Sequence, residues 1–147
     1  MNKNYGHFTV TTDRNRLDLA AIHDFLCNHS HWSRNITIER VKTSIENSLN
    51  FGLFHNEKQI GYARVISDFA TIAYLGDVYV LPEYRGKGLS NLLMKEVMTH
   101  PLLQELRRWI LLTKDAHGLY KKYGWTPVAN PERYMEVYDA DIYTKKQ

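Results

Sequence analysis

Apolar positions change period several times along the chain, and each change marks an element. His7 to Thr12 alternates and carries β-branched residues, which predicts a short first strand. Asp13 then offers a side-chain oxygen as a helix cap, and Leu17, Ala21, Ile22, Phe25 and Leu26 recur at helical spacing. A second helix is expected from Thr37 to about Ser48, with Ile38, Val41, Ile45 and Leu49 on one stripe. Phe51 and Leu53, the polar run His55 to Gln59, then Ile60, Tyr62 and Arg64 predict two strands around a turn. Ile72 to Val80 reads as a long strand, apolar on both faces except at Asp77, as in the middle of a sheet; Pro82 ends it. From Gly88 to about Thr99 the helical period returns through Leu89, Leu92, Leu93, Val97 and Met98. Trp109 to Thr113 reads as a buried strand, and Asp115 to Tyr123 as a helix stopped by Gly124 with Pro127 beyond. Tyr134 to Ile142 is expected to be the last strand.

Antiparallel strands therefore come first and a strand–helix–strand crossover follows, which predicts a mixed α/β sheet with helices on both faces. No linker, low-complexity tract or repeat divides the 147 residues, so a single domain over residues 1–147 is expected. Ordinary apolar and charged fractions, 44% and 24%, exclude wholesale disorder. One cysteine, Cys27, makes no intramolecular disulfide. It excludes a disulfide-stapled module and, with no apolar run of about 20 residues and no signal-peptide core, suggests a cytoplasmic protein that spans no membrane. The net charge of +3 is mild and its basic residues are scattered, which disfavours nucleic acid as a partner.

Chemistry concentrates between Asp77 and Ser90. A strand stops at a proline, a loop containing Arg85, Gly86, Lys87 and Gly88 follows, and a helix begins at once. Helix N-termini expose unpaired N–H groups and a partial positive charge, and glycine lets backbone approach a ligand closely, so the loop reads as a pyrophosphate cradle. A basic turn that merely joins strand to helix is the other reading. The loop lacks the G-K-[ST] ending of a Walker sequence and the full G-x-G-x-x-G of a dinucleotide fold.

Arg85-Gly86-Lys87-Gly88-Leu89-Ser90 resembles the [QR]-x-x-G-x-[GA] signature of the GNAT superfamily of acyl-CoA-dependent N-acetyltransferases, with Ser90 in place of the usual final Gly or Ala. Val78 to Tyr84 resembles that family's fourth strand and following loop. Leu119-Tyr120-Lys121-Lys122-Tyr123-Gly124-Trp125 resembles its [FL]-Y-x-x-x-G-[FW] helix end, at the expected distance downstream. The resemblance implies a mostly antiparallel mixed sheet with a splayed central strand pair and acetyl-CoA as co-substrate. It places Val78, Tyr79 and Val80 along the pantetheine arm, Arg85, Gly86, Lys87, Gly88, Leu89 and Ser90 at the pyrophosphate, and Tyr123 with the cofactor-binding residues. It further implies that the Val80 N–H polarises the thioester carbonyl and that Tyr120 is the general acid for the leaving thiolate.

The other candidates are less specific. Asp77 reads either as a base acting through water or as a buried carboxylate paired to Arg64. By strand alternation its face is opposite that of Tyr74 and Gly76, so only one set is expected to line the acceptor cavity. His117 precedes Tyr120 by about one helical turn and reads as a proton shuttle, a cofactor contact or a helix-end residue. Trp32, with Ser30, His31 and Arg34, offers an aromatic wall or a core cap, while Tyr62, Arg64 and Asp68 could orient a charged acceptor. His29 and His31 are the only close histidine pair and have no carboxylate or cysteine grouping, so no metal is expected. Cys27 has no basic neighbours to lower its pKa, which favours direct transfer in a ternary complex over an acyl-cysteine route. The function expected is acetyl transfer to a primary amine of a small molecule or peptide. A longer acyl donor, a hydroxyl acceptor and a non-catalytic acyl-CoA sensor are the alternatives. The expected last strand is the candidate surface for a homodimer.

Overall fold

The computed structural model describes residues 2–144. Six strands form one sheet in chain order: β1 (Asn2–Tyr5), β2 (Phe8–Thr11), β3 (Leu49–His55), β4 (Lys58–Ser67), β5 (Ile72–Val80) and β6 (Arg108–Leu111). Neighbours are antiparallel except β5 and β6, which are parallel and joined by the crossover helix α3 (Leu89–Thr99). The helices α1 (Leu19–Asp24) and α2 (Ile38–Glu46) precede β3, and the short α4 (His117–Lys121) follows β6.

Each face of the sheet has its own core. Leu89, Leu93, Met94 and Val97 of α3 pack with Phe51, Leu53, Val65 and Leu75 on one side. Ile22, Phe25 and Leu26 from α1 and the wider helical turn Phe25–His29 pack with Val41, Ile45, Tyr62 and Tyr79 on the other. The expected helices on both faces are present. Among the described residues no helix is long and apolar enough to cross a membrane.

Three expectations change. Asn2–Tyr5 is a strand despite its polar sequence: a two-residue loop with Gly6 at φ 67° closes a hairpin that sets Tyr5 opposite Phe8. Asp13 caps only the short turn Arg14–Arg16, and it is Asp18 that accepts from the Ala21 N–H and starts α1. Residues 134–142 form no strand. They are exposed, with Met135 and Val137 turned to solvent; they follow a turn at Pro131–Arg133 and run into another at residues 140–144 rather than joining a ladder. The segment named as the candidate surface for a homodimer is therefore not a strand of this sheet.

Candidate active site

The parallel register of β5 and β6 ends at Leu75 opposite Leu111, so Gly76 to Val80 continue without a partner on that side. A bulge begins at this point. Gly76 faces Arg64 and Tyr79 faces Tyr62, so Asp77 and Val78 both stand opposite Ala63. Asp77 takes φ 54°, a left-handed conformation that only a short polar side chain tolerates well. The extra residue reverses the alternation: Ala73 and Leu75 point into the α3 core, and beyond the bulge Val80 does so while Tyr79 stacks on Phe25 at 3.9 Å.

The bulge also sets main-chain direction. Leu81 N–H donates to the Ile60 carbonyl at 2.8 Å, so Val80, opposite Gly61, turns its own N–H and carbonyl away from β4. Val78, two residues earlier, shares that direction, whereas Tyr79 directs its main chain to β4 and buries its ring. Arg85 Nε–H donates to the Val80 carbonyl at 2.9 Å, which leaves the Val80 N–H directed into the gap between β5 and β6.

At the end of β5 the turn Pro82–Tyr84 leads to Gly86 at φ 80° and Gly88 at φ 74°, and α3 begins immediately. The main-chain N–H groups of Gly86, Lys87, Gly88, Leu89 and Ser90 have no acceptor among the described residues, and no side chain caps the helix. Five consecutive donors without acceptors thus lie at the start of the α3 dipole, an arrangement suited to a pyrophosphate. The loop is held from behind: the Tyr84 hydroxyl is 2.8 Å from His55 Nδ1, and Lys87 Nζ lies 5.4 Å from the Tyr84 ring centre. Tyr123 Oη–H reaches Asn91 Oδ1 at 2.9 Å and ties the end of α4 to the first turn of α3.

Tyr120 sits across the gap. Its ring is buried, 8% exposed, beside Trp125, and its hydroxyl has no hydrogen-bond partner among the described residues. Burial raises its pKa above the ordinary phenol value, so it remains a proton donor at neutral pH. Two cavities meet at this side chain. One, of about 360 Å³, lies between β6 and residues 125–128 and also touches His117 and Lys121. The other, of about 550 Å³, opens over Gly76, Asp77 and Val78 and is closed by Trp32, Tyr74, Glu136 and Tyr138.

In the larger cavity both oxygens of Asp77 are hydrogen-bonded. Trp32 Nε1–H donates to Oδ1 at 2.9 Å, Arg64 Nε–H donates to Oδ2 at 2.8 Å, and Arg64 reaches Ser48 Oγ at 3.1 Å. Both oxygens hold wall residues, and Asp77 is paired to Arg64, which is one of its two expected readings. Trp32 and Arg64 reach the cavity as expected. Tyr74 and Gly76 line it together with Asp77, contrary to simple alternation, because the left-handed residue resets the strand.

Tyr62 is fully buried and bonded to Asn50, away from the cavity. Asp68 accepts from Thr71 Oγ1 and from the N–H groups of Ala70, Thr71 and Ile72; these bonds, led by the Thr71 hydroxyl, hold its pKa well below the usual carboxylate range and fix the β4–β5 turn. Glu136 and Tyr138 were missed because their segment reads as a strand; their shared parity, opposite to Met135 and Val137, was the available signal. No group of three or more metal-ligating side chains occurs among the described residues.

Comparison with known proteins agrees with this geometry. Residues 46–127 match the acetyltransferase (GNAT) domain family. The crystal structure of a gnat-family acetyltransferase from Xanthomonas campestris pv. campestris superposes with a TM-score of 0.93 and 48% identity, over 97% of this chain and 100% of that one. A Gibberella zeae protein named as an acetyltransferase is 29% identical over 139 residues, covering 80% of this chain and 77% of its own. An N-acetyltransferase-named protein of Gracilaria tenuistipitata is 33% identical over 113 residues and covers 71% of this chain, which spans 61% of that longer relative. An acetyltransferase from Clostridium acetobutylicum, solved with acetyl-CoA, shares the fold alone, with a TM-score of 0.66 and 15% identity over 89% of this chain and 94% of its own.

Proposed function

The chain belongs to the GNAT acetyltransferase family, and on that premise we propose that it moves an acetyl group from acetyl-CoA directly to a primary amine of a small molecule or peptide. The observation that carries this reading is the run of unaccepted N–H groups from Gly86 to Ser90 at the foot of an unpaired stretch of β5. These donors, with the positive end of the α3 dipole, suit the pyrophosphate; Val78 and the Val80 N–H line the path from there to Tyr120. Bound acetyl-CoA supplies an activated thioester acyl group.

The chain's own residues then divide the work. Val80 N–H donates toward the carbonyl oxygen on which negative charge gathers, a preorganised main-chain donor inside a cleft. Tyr120 Oη holds the proton that the departing sulfur takes up. An alkyl amine with pKa near 10.4 is free base only about once in 2,500 molecules at pH 7, so it must lose a proton before attack. With Asp77 committed to Trp32 and Arg64, water in the open cavity is the outlet for that proton. The new carbon–nitrogen bond forms as the carbon–sulfur bond breaks. Tyr120 gives its proton to the sulfur and is restored as the acylated nitrogen sheds its second proton. The ammonium thus loses two protons in all, one to water and one that replaces the proton taken by the sulfur. The unpartnered hydroxyl of Tyr120 favours catalysis over a silent acyl-CoA sensor.

Calorimetric titration with acetyl-CoA and CoA tests the donor side, using wild type and Gly88→Val with near-UV circular dichroism as the check on folding. Dissociation constants of about micromolar order in wild type, lost in the folded variant, are expected. A folded wild type that gives neither heat nor thermal shift with either compound overturns the reading.

A further inference from the structure

Resting on that reading, we propose that the preferred acceptor is a small amine carrying a second positive charge, and that Glu136 recognises that charge. The argument starts from the charges that line the larger cavity. Arg64 is neutralised by Asp77 at 2.8 Å, and both side chains are largely buried. The remaining formal charges are Lys114, Asp115 and Glu136, none of which has an ion pair among the described residues. They sum to −1. Two carboxylates, Asp115 and Glu136, therefore face a single lysine, and Glu136 shares its exposed segment with the aromatic wall residue Tyr138.

The walls are of the type that accepts a cation. The Trp32 indole is fixed by its bond to Asp77 and remains 42% exposed; the Tyr74 ring is half-buried and Tyr138 is exposed. Aromatic faces attract ammonium groups through their quadrupole, the more so where water is partly excluded. The Tyr120 side chain, more than nine-tenths buried, lines the same cavity and carries a hydroxyl without a hydrogen-bond partner among the described residues. An acceptor seated here would present its reacting amine near Tyr120 and its second cation to Glu136. An amine bearing a phosphate would meet one lysine and two carboxylates, since Arg64 is already occupied.

The test uses the full chain with acetyl-CoA and three probes: 1,4-diaminobutane, 1-aminobutane and O-phosphorylethanolamine. We expect kcat/KM for the diamine to exceed that for each of the others by at least about tenfold, an advantage that shrinks as salt screens Glu136. In Glu136→Gln, an isosteric change at an exposed position, the diamine-to-monoamine ratio should fall about tenfold through KM. A preference for the phosphorylated amine, equal use of diamine and monoamine, or a ratio unchanged in Glu136→Gln would each overturn the assignment while leaving acetyl transfer intact. Calorimetry with 1,4-diaminobutane alone separates the two readings. Diamine binding that Glu136→Gln weakens, in a protein that binds no acetyl-CoA, upholds the cavity assignment and sinks the donor reading.

Discussion

The two sides of the cleft are built from different materials. The side next to α3 consists of main chain: N–H groups of Gly86 to Ser90, and the outward N–H of Val80. Such groups are chemically identical from residue to residue, so they suit a ligand that never changes. The opposite side consists of side chains drawn from four distant places: Trp32, Arg64 with Asp77, Tyr120, and Glu136 with Tyr138. Those can be exchanged one at a time, which suits the acceptor role proposed for this wall. The division predicts that mutations on the second side separate chemistry, acceptor recognition and stability from one another.

The largest effect belongs to Tyr120. Tyr120→Phe removes only the hydroxyl, which makes no structural hydrogen bond, so folding and acetyl-CoA affinity should hold. Its kcat should drop about 10²- to 10³-fold, the usual worth of a positioned general acid, as measured by release of CoA thiol. The pH profile checks the same point. With the Tyr120 pKa raised by burial, kcat/KM should climb as the amine deprotonates and show no decline from this group until above the ordinary phenol value of about 10.

Asp77→Asn comes next and acts on the wall. Asparagine tolerates the left-handed backbone, but the change leaves the Arg64 guanidinium, 16% exposed, without its counter-charge. Breaking one partner of such a pair should cost about 3 kcal/mol, read from urea unfolding. Acceptor KM should rise with it as Trp32 is released, while acetyl-CoA affinity, set by main chain on the other side, stays within about twofold. A parallel loss of acetyl-CoA binding would show that the two sides are not separable.

That separation also explains what the sequence disclosed. Loop 85–90 and the Leu119–Trp125 helix end are contiguous and depend on glycines and one tyrosine, so the α3 side of the cleft was legible as local patterns. Strand order followed from period changes, since apolar alternation and helical spacing report burial directly. The side-chain wall opposite was not legible in that way. Trp32 and Asp77 are 45 positions apart, and what joins them is a left-handed bulge that no local spacing announces. The segment after Pro131 alternates as a strand does, yet it turns Glu136 and Tyr138 to a cavity instead of pairing. Polar Asn2–Tyr5 became a strand only because Gly6 folds it back on β2.

The smallest expected effect lies outside the cleft and tests whether stability and chemistry titrate independently. His100, 7% exposed at the end of α3, accepts the Leu102 N–H on Nδ1 at 3.2 Å, an arrangement that requires that nitrogen to be unprotonated. Burial depresses its pKa below the ordinary value, with the nearby Glu96 charge opposing in part. The folded state therefore binds the proton less readily than the unfolded chain does. Its contribution is fully present above about pH 6.5 and is lost as pH falls through the lower folded value. Thermal midpoints should decline on acidification from that pH, and His100→Gln should flatten this part of the curve, while the kinetic profile above pH 7 is the same in both proteins. An unchanged slope in the variant would place the acid sensitivity elsewhere in the fold.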